Sequence, residues 1–340
     1  MNFTFPLGKL PHEYLEQLIN NLPTTSERVI LGPGIGLDCA VVEFGERCLV
    51  LKSEPITFAT RQIGWYAVQI ASNDIVTTGA KPQWMLLTML LPENRTTPSL
   101  VNEISQDIAQ TCQQMGIVLI GGHTEITSGL DRPILITTMI AETTREKLIT
   151  PQGAQPGDIL ILTKGIPIEA TALLAIEFPE KLANALSEAE IIKAQNFLKD
   201  PGISISRDAE IAICAGEVHA MHDPTEGGLA TALWELAIAS QNTLVIEPSH
   251  IYLPPISRKV CEIFGIDPMG AIASGALLMA VSPSSANEII YALQGSGITA
   301  SQIGKVEKGQ PDVFQITPQG RKLLKKFERD EVARLFETIE

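Results

Sequence analysis

The sequence has little of what nucleic-acid-binding and membrane proteins need. Of its 340 residues, 25 are lysine or arginine and 39 are aspartate or glutamate, so the formal net charge is -14. An acidic surface repels phosphate backbones and anionic lipid headgroups, and we therefore expect neither nucleic acid nor membrane as a partner. The longest uncharged stretch, 268–287, is broken by Gly270, Gly275 and Pro283, which argues against a membrane-spanning helix.

Cysteine pairs with the spacing of a metal knuckle or a redox site are also lacking. The five cysteines are scattered and odd in number, which is typical of buried thiols in a reducing compartment. Residues 1–6 lack a basic region followed by an apolar core, so the sequence predicts no signal peptide. Both observations favour a cytoplasmic protein.

Length and apolar content predict two domains of mixed structure. Apolar residues make up 45% of the chain, enough for sizeable cores. A segment rich in proline and glycine, 150–158, marks the predicted boundary between domains at 1–150 and 151–325, with a tail at 326–340. Predicted strands and helices do not alternate strictly, so we expect an α+β fold.

Hydrophobic periodicity predicts the helices and strands that carry the candidate functional residues. A buried strand at 117–120 is expected to end at Gly121-Gly122. The other helices and strands used below are predicted at 61–78, 168–177 and 226–240 (helices) and at 84–91 and 134–140 (strands).

Two polar positions lie in the first segments of the chain. Gly36 and Asp38 belong to a glycine-rich stretch, where glycine permits a tight turn or the close approach of a ligand. The same pattern fits a turn with an Asx-type hydrogen bond. Glu54 stands near the end of a predicted strand, which is also a common place for an exposed charge.

Asn73 and Asp74 lie in the predicted helix 61–78. At 100° per residue, Asp74 shares a stripe with Ile63, Ala67 and Ile70. A carboxylate on an apolar face is costly unless it is paired or binds a metal. Asp74 is therefore either a metal ligand or a buried aspartate satisfied by backbone N–H groups or an arginine.

Polar residues follow glycines at two further places. Gly121-Gly122-His123-Thr124 comes after a predicted strand, where binding sites tend to occur, although a lone histidine is more often structural. Asp223-Pro224-Thr225-Glu226 has the order of a helix cap and capping box. Gly227 and Gly228 are unexplained by capping, and two glycines at a helix N-terminus let an anion approach free N–H groups.

Together and in this order, these motifs resemble the PurM-like superfamily over about 32–306. The superfamily includes aminoimidazole ribonucleotide synthetase, thiamine monophosphate kinase, selenophosphate synthetase and the hydrogenase maturation protein HypE. The resemblance implies a two-domain α+β chain that forms a homodimer through N-terminal strands. It also implies that the chain binds ATP with Mg²⁺ and acts on a small-molecule or protein-borne acceptor.

The resemblance also assigns residues. The implied nucleotide-binding set is Gly36, Asp38, Asn73, Asp74, Gly121, Gly122, Thr124, Asp223, Gly227 and Gly228, with the second-domain loop facing the first domain. The implied metal set is Asp38, Glu54, Asp74 and His123. Carboxylate oxygens suit Mg²⁺, and phosphoryl transfer needs mainly positioning and charge neutralisation.

Several positions depart from the family pattern. Leu37 stands where a second acid is usual, Glu54 where aspartate is usual, and His123 where aspartate follows Gly-Gly. Glu226 replaces an arginine that is frequent in the hydrogenase-maturation branch. Imidazole is a poor Mg²⁺ ligand. These departures leave three hypotheses open: an ATP-dependent enzyme, a non-catalytic nucleotide-binding scaffold, and a hydrogenase maturation protein.

The last residues bear on the third hypothesis. Family members that form a nitrile carry the reacting group on a C-terminal cysteine, whereas 334–340 contain none and Cys261 lies far upstream. The stretch 323–336 is predicted to be helical and charged. On this sequence we expect no nitrile formation.

Overall fold

The computed structural model describes residues 5, 8, 10–57 and 61–339, without the side chains of residues 12, 13, 338 and 339. The α-helices are α1 His12–Asn20, α2 Ile63–Val76, α3 Pro98–Met115, α4 Ile168–Glu177, α5 Pro179–Leu182, α6 Glu188–Gln195, α7 Ser206–Ala215, α8 Gly228–Ser240, α9 Pro255–Phe264, α10 Ala286–Gly295 and α11 Glu331–Ile339. The strands are β1 Val29–Leu31, β2 Ala40–Phe44, β3 Arg47–Ile56, β4 Trp84–Pro92, β5 Val118–Thr127, β6 Ile134–Thr143, β7 Ile159–Thr163, β8 Val218–His222, β9 Thr243–Ile246, β10 Leu278–Val281, β11 Ala300–Glu307, β12 Val313–Thr317 and β13 Gly320–Leu323.

Backbone contacts divide the chain into two compact units. The N-terminal unit consists of Thr25–Pro33 and Asp38–Leu148. The C-terminal unit contains Gly34–Leu37, α1 and the described residues after Leu148.

The N-terminal unit is a six-stranded sheet in the order β1-β2-β3-β6-β4-β5. Strands β4 and β5 are parallel, and the other neighbours are antiparallel. Residues of β6 alternate between buried and half-buried, so one face of the sheet is covered and the other is not. Helix α2 packs on β3 and β6 and is buried along almost its whole length.

Strand β5 differs from its prediction. It was expected as a short buried strand at 117–120, but it runs from Val118 to Thr127 and is exposed at the edge of the sheet. The two glycines continue the strand instead of ending it. Gly122 has a φ of 151°, and a Cβ there would lie 1.8 Å from the carbonyl oxygen of Leu87 on β4. Glycine is therefore required by the strand pairing itself.

The C-terminal unit is a seven-stranded sheet in the order β13-β12-β9-β11-β7-β10-β8, in which only β12 and β9 pair in parallel. Fully buried leucines from β7, α8 and β10 form the centre of its core: Leu160, Leu162, Leu229, Leu233 and Leu278. Helix α4 has the predicted bounds. Two units that each combine a mixed sheet with helices confirm the predicted α+β class.

Three smaller predictions can be checked directly. Cys39, Cys48, Cys112 and Cys261 are buried as expected, but Cys214 is exposed. The stretch 323–336 is not one helix, because Leu323 ends β13 and α11 begins at Glu331. Among the helices of the described residues, none combines the length and apolar character that a membrane crossing requires.

Candidate functional site

Three charged side chains of the N-terminal unit meet where β3 lies beside α2. Lys52 and Glu54 are two residues apart on β3, so their side chains share one face of the strand. The Lys52 Nζ lies 3.1 Å from Glu54 Oε2 and 3.3 Å from Asp74 Oδ1. Lys52 is 14% exposed, Glu54 23% and Asp74 5%. The ammonium of Lys52 thus contacts one buried and one half-buried carboxylate.

Backbone contacts of α2 hold Asp74 in place. The Thr77 hydroxyl donates to the Asp74 carbonyl oxygen at 2.7 Å, and the Cys39 thiol donates to the same oxygen at 3.3 Å. Asn73 beside it is completely buried. The sequence allowed an arginine or backbone N–H groups as partners of a buried Asp74, and the structure provides a lysine.

The backbone of Glu54 is also held by a hydrogen bond from a hydroxyl group. The Thr137 hydroxyl on β6 lies 3.3 Å from the carbonyl oxygen of Glu54 and 3.3 Å from that of Ala67 on α2. This hydroxyl therefore links β6 to β3 and α2. The backbones that carry the two carboxylates are held without help from Lys52.

Burial opposes the positive charge of Lys52, but the neighbouring acids outweigh it. Asp74, Glu54 and Asp38 together raise the pKa of Lys52 well above its ordinary value. The half-buried Asp38 thus also acts electrostatically on Lys52. Three carboxylates of the unit therefore act on the one ammonium of Lys52.

The other predicted ligands of the N-terminal unit are arranged differently. Gly121, Gly122, His123 and Thr124 all lie on the exposed strand β5. His123 is 65% exposed, and its Nε2 lies 3.2 Å from Glu125 Oε2. In the part of the chain that the structure describes, no three of Asp38, Glu54, Asp74 and His123 place ligand atoms within 4.8 Å of one another.

The second predicted motif lies between β8 and α8 in the C-terminal unit. Asp223 follows β8 and is buried. The predicted cap and capping box are not formed, because α8 begins only at Gly228, after Gly227 in the left-handed conformation with φ 81°. The N–H of Gly227 donates to Asp330 Oδ2 at 2.8 Å, so an anion does approach this helix start, and it is the chain's own carboxylate.

Asp330 also caps the C-terminal helix. Its Oδ1 accepts the N–H of Val332 at 2.8 Å, so one carboxylate joins the starts of α8 and α11. Burial raises the pKa of Asp330 to about 6, although the N–H donors of Gly227, Val332 and Ala333 act in the opposite direction.

Glu169 in the first turn of α4 belongs to the same acidic neighbourhood. Burial raises its pKa to about 8, and the charges of Glu226 and Asp330 add to the effect, whereas a hydrogen bond with Ser274 opposes it. Its Oε2 is buried and makes no hydrogen bond. Glu169 is therefore largely protonated at neutral pH.

Gly36 is the remaining predicted residue, and it contacts α8. A Cβ at Gly36 would lie 2.7 Å from the carbonyl oxygen of Glu235, so packing alone requires glycine there. The Glu235 carboxylate in turn lies 3.0 Å from Nε2 of the buried His222.

Sequence reasoning left Lys52, Glu169 and Asp330 out of the candidate site. Lys52 did carry a signal, since lysine and glutamate two residues apart in a strand project from the same face. Glu169 lies in an apolar helix, where a lone acid is a recognisable anomaly. Asp330 gave no local signal, because Gly227 is 103 residues away from it.

Two protein-family models match the chain. "AIR synthase related protein, N-terminal domain" matches residues 36–143, and "AIR synthase related protein, C-terminal domain" matches residues 155–317. A putative hydrogenase expression/formation protein of Methanocaldococcus jannaschii is 29% identical over 93% of each chain. Carbamoyl dehydratase HypE of Cupriavidus necator is 26% identical over 74% of this chain and 70% of that protein.

Solved structures show the same fold. HypE in complex with ATP has a TM-score of 0.71 at 21% identity, covering 96% of this chain and 100% of that one. AaThiL in complex with AMPPCP and TMP has a TM-score of 0.74 at 20% identity, covering 96% and 99%. A HypE–HypF complex has a TM-score of 0.74 at 19% identity, covering 92% and 99%.

Proposed function

Because this chain belongs to the family of AIR synthase related proteins, we propose that it is an ATP-dependent enzyme. It binds Mg-ATP in its N-terminal unit and uses it to phosphorylate or activate an oxygen of an acceptor. Similarity to HypE in complex with ATP and to AaThiL in complex with AMPPCP supports nucleotide binding. The acceptor is either a small molecule or a group carried by a protein.

The meeting of Glu54 and Asp74 at one ammonium, that of Lys52, is the observation that carries this proposal. Both carboxylates are hard oxygen donors, which is the ligand type that Mg²⁺ prefers, and Asp38 adds a third charge close by. The donor set therefore fits the metal. Bound there, Mg²⁺ supplies positive charge that neutralises phosphate oxygens during phosphoryl transfer.

The chain's own groups have separate tasks in this scheme. Glu54 and Asp74 would hold the cation, with the charge of Asp38 close by, and Asn73 supports the end of α2 from the interior. Lys52 would supply a positive charge for a phosphate oxygen. In the C-terminal unit, Asp223, Gly227 and Gly228 remain the proposed contacts of the nucleotide or acceptor, and Gly227 can offer its N–H only after Asp330 has left it.

We also propose a homodimer in which a second copy covers strand β5 and the open face of its sheet. β5 is an edge strand whose apolar residues Val118, Leu119, Ile120 and Ile126 are exposed. An exposed apolar edge strand can pair with another edge strand, and a second copy of this chain presents the same strand. Gly121, Thr124 and His123 would then line a site completed at this interface.

Multi-angle light scattering tests the dimer. We expect a dimer mass at micromolar concentration for the wild type and a monomer mass for Ile120→Lys. A monomeric wild type would remove the dimer from the proposal, but it would leave the cation site of Lys52, Glu54 and Asp74 untouched.

Calorimetry with a non-hydrolysable ATP analogue tests nucleotide binding, and a turnover assay with Mg²⁺ tests catalysis. We expect binding to require the metal and hydrolysis to rise when the right acceptor is added. Binding without turnover for every acceptor would instead favour the non-catalytic scaffold.

Hydrogenase maturation is the second candidate function. It is favoured by the relative from Methanocaldococcus jannaschii, which matches over nearly the whole chain and is described as a putative hydrogenase expression/formation protein. Nitrile formation on Cys112 or Cys261 is not expected, because burial raises the pKa of these thiols to about 11 and about 12, and the thiolate is the nucleophile. Mass spectrometry after incubation with ATP and a carbamoyl donor tests this, and an ATP-dependent cyano adduct would establish the maturation reaction.

A further inference from the structure

We propose that Lys52 is an internal cation of the nucleotide site, which occupies the place of a divalent metal between Glu54 and Asp74 until metal and nucleotide bind together. The identity of the ligands rests on the proposed function. The role of Lys52 itself rests on the geometry and charge of the described residues.

One ammonium contacts both carboxylates. The Nζ of Lys52 is 3.1 Å from Glu54 and 3.3 Å from Asp74, so a single cation already bridges the two groups. A metal ion bound by both carboxylates would have to occupy the same space. Lys52 and a divalent ion therefore exclude each other at this position, by volume and by like charge.

Charge favours the exchange of the ammonium for a divalent ion. Glu54 and Asp74 contact Lys52, and Asp38 also acts on it, in a place where the Lys52 side chain is 14% exposed and that of Asp74 5%. A divalent ion compensates these acids better than one ammonium does. The ammonium must then move to another anion, and a phosphate oxygen of the nucleotide is the group that the proposed function brings to the site.

The scaffold permits this exchange. Thr77 and Cys39 donate to the backbone carbonyl oxygen of Asp74, and Thr137 donates to that of Glu54, so the backbone that carries both carboxylates keeps its position when Lys52 leaves. Lysine has a flexible four-carbon chain and a compact charge, which allow it to move between partners. A lysine with a purely structural role would instead be needed in place at all times.

Metal and nucleotide should consequently bind with strong mutual dependence. In the absence of nucleotide, a metal ion must displace Lys52 without providing a new partner for it, so metal affinity is low. The nucleotide provides that partner, and metal affinity rises. Removing Lys52 should separate the two events and let the metal bind alone.

The experiment compares the wild type with Lys52→Met, Lys52→Arg and Lys147→Met. Lys147 is an exposed lysine of the same unit and serves as the matched control. Mn²⁺ binding is measured by calorimetry without nucleotide, and thermal unfolding is followed with and without millimolar Mg²⁺.

For Lys52→Met we expect Mn²⁺ affinity at least about tenfold higher than in the wild type, because a competing charge is removed from an acidic site. Mg²⁺ should also raise the unfolding temperature of this variant and leave that of the wild type and Lys147→Met nearly unchanged. Lys52→Arg keeps a positive charge and should keep the low metal affinity.

A folded Lys52→Met variant with unchanged Mn²⁺ affinity would overturn the proposal. If Lys52→Met does not fold in metal-free buffer, its folding after Mg²⁺ is added supports the exchange. If Mg²⁺ does not restore its fold while Lys52→Arg folds without metal, the exchange is contradicted. These measurements need no nucleotide. If the wild type does not bind the ATP analogue, the proposed function fails and the metal result for Lys52 still stands.

Discussion

Buried or half-buried carboxylates occur in both units of this chain, and the two units compensate them differently. In the N-terminal unit, Asp74 and Glu54 contact the ammonium of Lys52 at 3.3 and 3.1 Å. In the C-terminal unit, Asp330 accepts backbone N–H groups, and Glu169 lies near two further acids, with a pKa raised to about 8 by burial. In the first group a cation contacts the acids, and in the second the acids are stabilised by proton uptake or by neutral donors.

The way in which its acids are compensated distinguishes a candidate cation-binding site from a contact that only stabilises the fold. Carboxylates that contact a lysine ammonium can exchange it for a metal ion. Carboxyls that prefer to be protonated make poor metal ligands, because a metal must compete with the proton. Aspartate and glutamate are therefore suited to metal binding in the N-terminal unit and poorly suited to it in the C-terminal unit.

The largest expected effect is on nucleotide binding through Asp74. Asp74→Asn keeps the size of the side chain but removes its charge, so affinity for the ATP analogue with Mg²⁺ should fall about 100-fold, or about 2.7 kcal/mol. Calorimetry measures this change. Asp131→Asn, an exposed aspartate of the same unit, is the control and should bind like the wild type. Unchanged affinity in a folded Asp74→Asn variant would place the nucleotide elsewhere.

Removal of Lys52 should come next in size. In Lys52→Met, the buried Asp74 and the half-buried Glu54 lose the ammonium that both contact, and the free energy of unfolding should fall by about 3 kcal/mol in metal-free buffer. Urea unfolding in the presence of a chelator measures it. A loss below about 1 kcal/mol, the range of exposed ion pairs, would mean that Lys52 does not compensate these acids.

The pH dependence of the C-terminal unit gives the third prediction. Glu169 has a folded pKa of about 8, above its unfolded value, so its contribution is fully present below the unfolded pKa and is lost as the pH rises through 8. From this group the unfolding free energy should fall by about 3 kcal/mol between pH 5 and pH 8.

Glu169→Gln removes the titrating group, so unfolding of this variant should depend less on pH. The slope between pH 5 and pH 8 is the readout, since the amide also shifts the absolute stability. Glu177→Gln, at an exposed position of the same helix, should keep the wild-type slope. Equal slopes for all three proteins would show that Glu169 does not titrate in this range.

The smallest effect is expected for Glu226→Gln. The charge of Glu226 is a minor cause of the raised pKa values of Glu169 and Asp330. Its removal should lower both and stabilise the protein at pH 8 by about 0.5 kcal/mol. The same urea titrations measure this gain, and a loss of stability at pH 8 would mean that Glu226 compensates a cation instead.

Sequence periodicity predicted the elements whose burial follows from their own residues. Helix α4 has the predicted bounds because its apolar residues are continuous and Pro167 precedes it. Strand β5 was predicted incorrectly because its polar and glycine residues resemble a loop, and only pairing with β4 makes it a strand. An exposed edge strand leaves a weak periodic signal.

Sequence reasoning found only those residues of the candidate site that are unusual within their own local pattern. Asp74 did so as an acid within an apolar helix pattern. Its partner Lys52 lies 22 residues earlier in the chain, on a different element. The start of α8 was placed too early because the Asp-Pro-Thr-Glu pattern is typical of a cap, whereas Gly227 adopts the left-handed conformation and donates to the distant Asp330. Contacts of this range depend on the complete fold and are not encoded in local spacing.

A crystal structure with Mn²⁺ and a non-hydrolysable ATP analogue, recorded at the manganese absorption edge, shows whether metal and nucleotide replace Lys52 at Asp74. We expect an anomalous peak bonded to the Asp74 carboxylate, with the Lys52 ammonium moved from Asp74 to a phosphate oxygen. An anomalous peak away from Asp74, or a Lys52 that still bridges Glu54 and Asp74 with nucleotide and metal bound, would contradict this expectation.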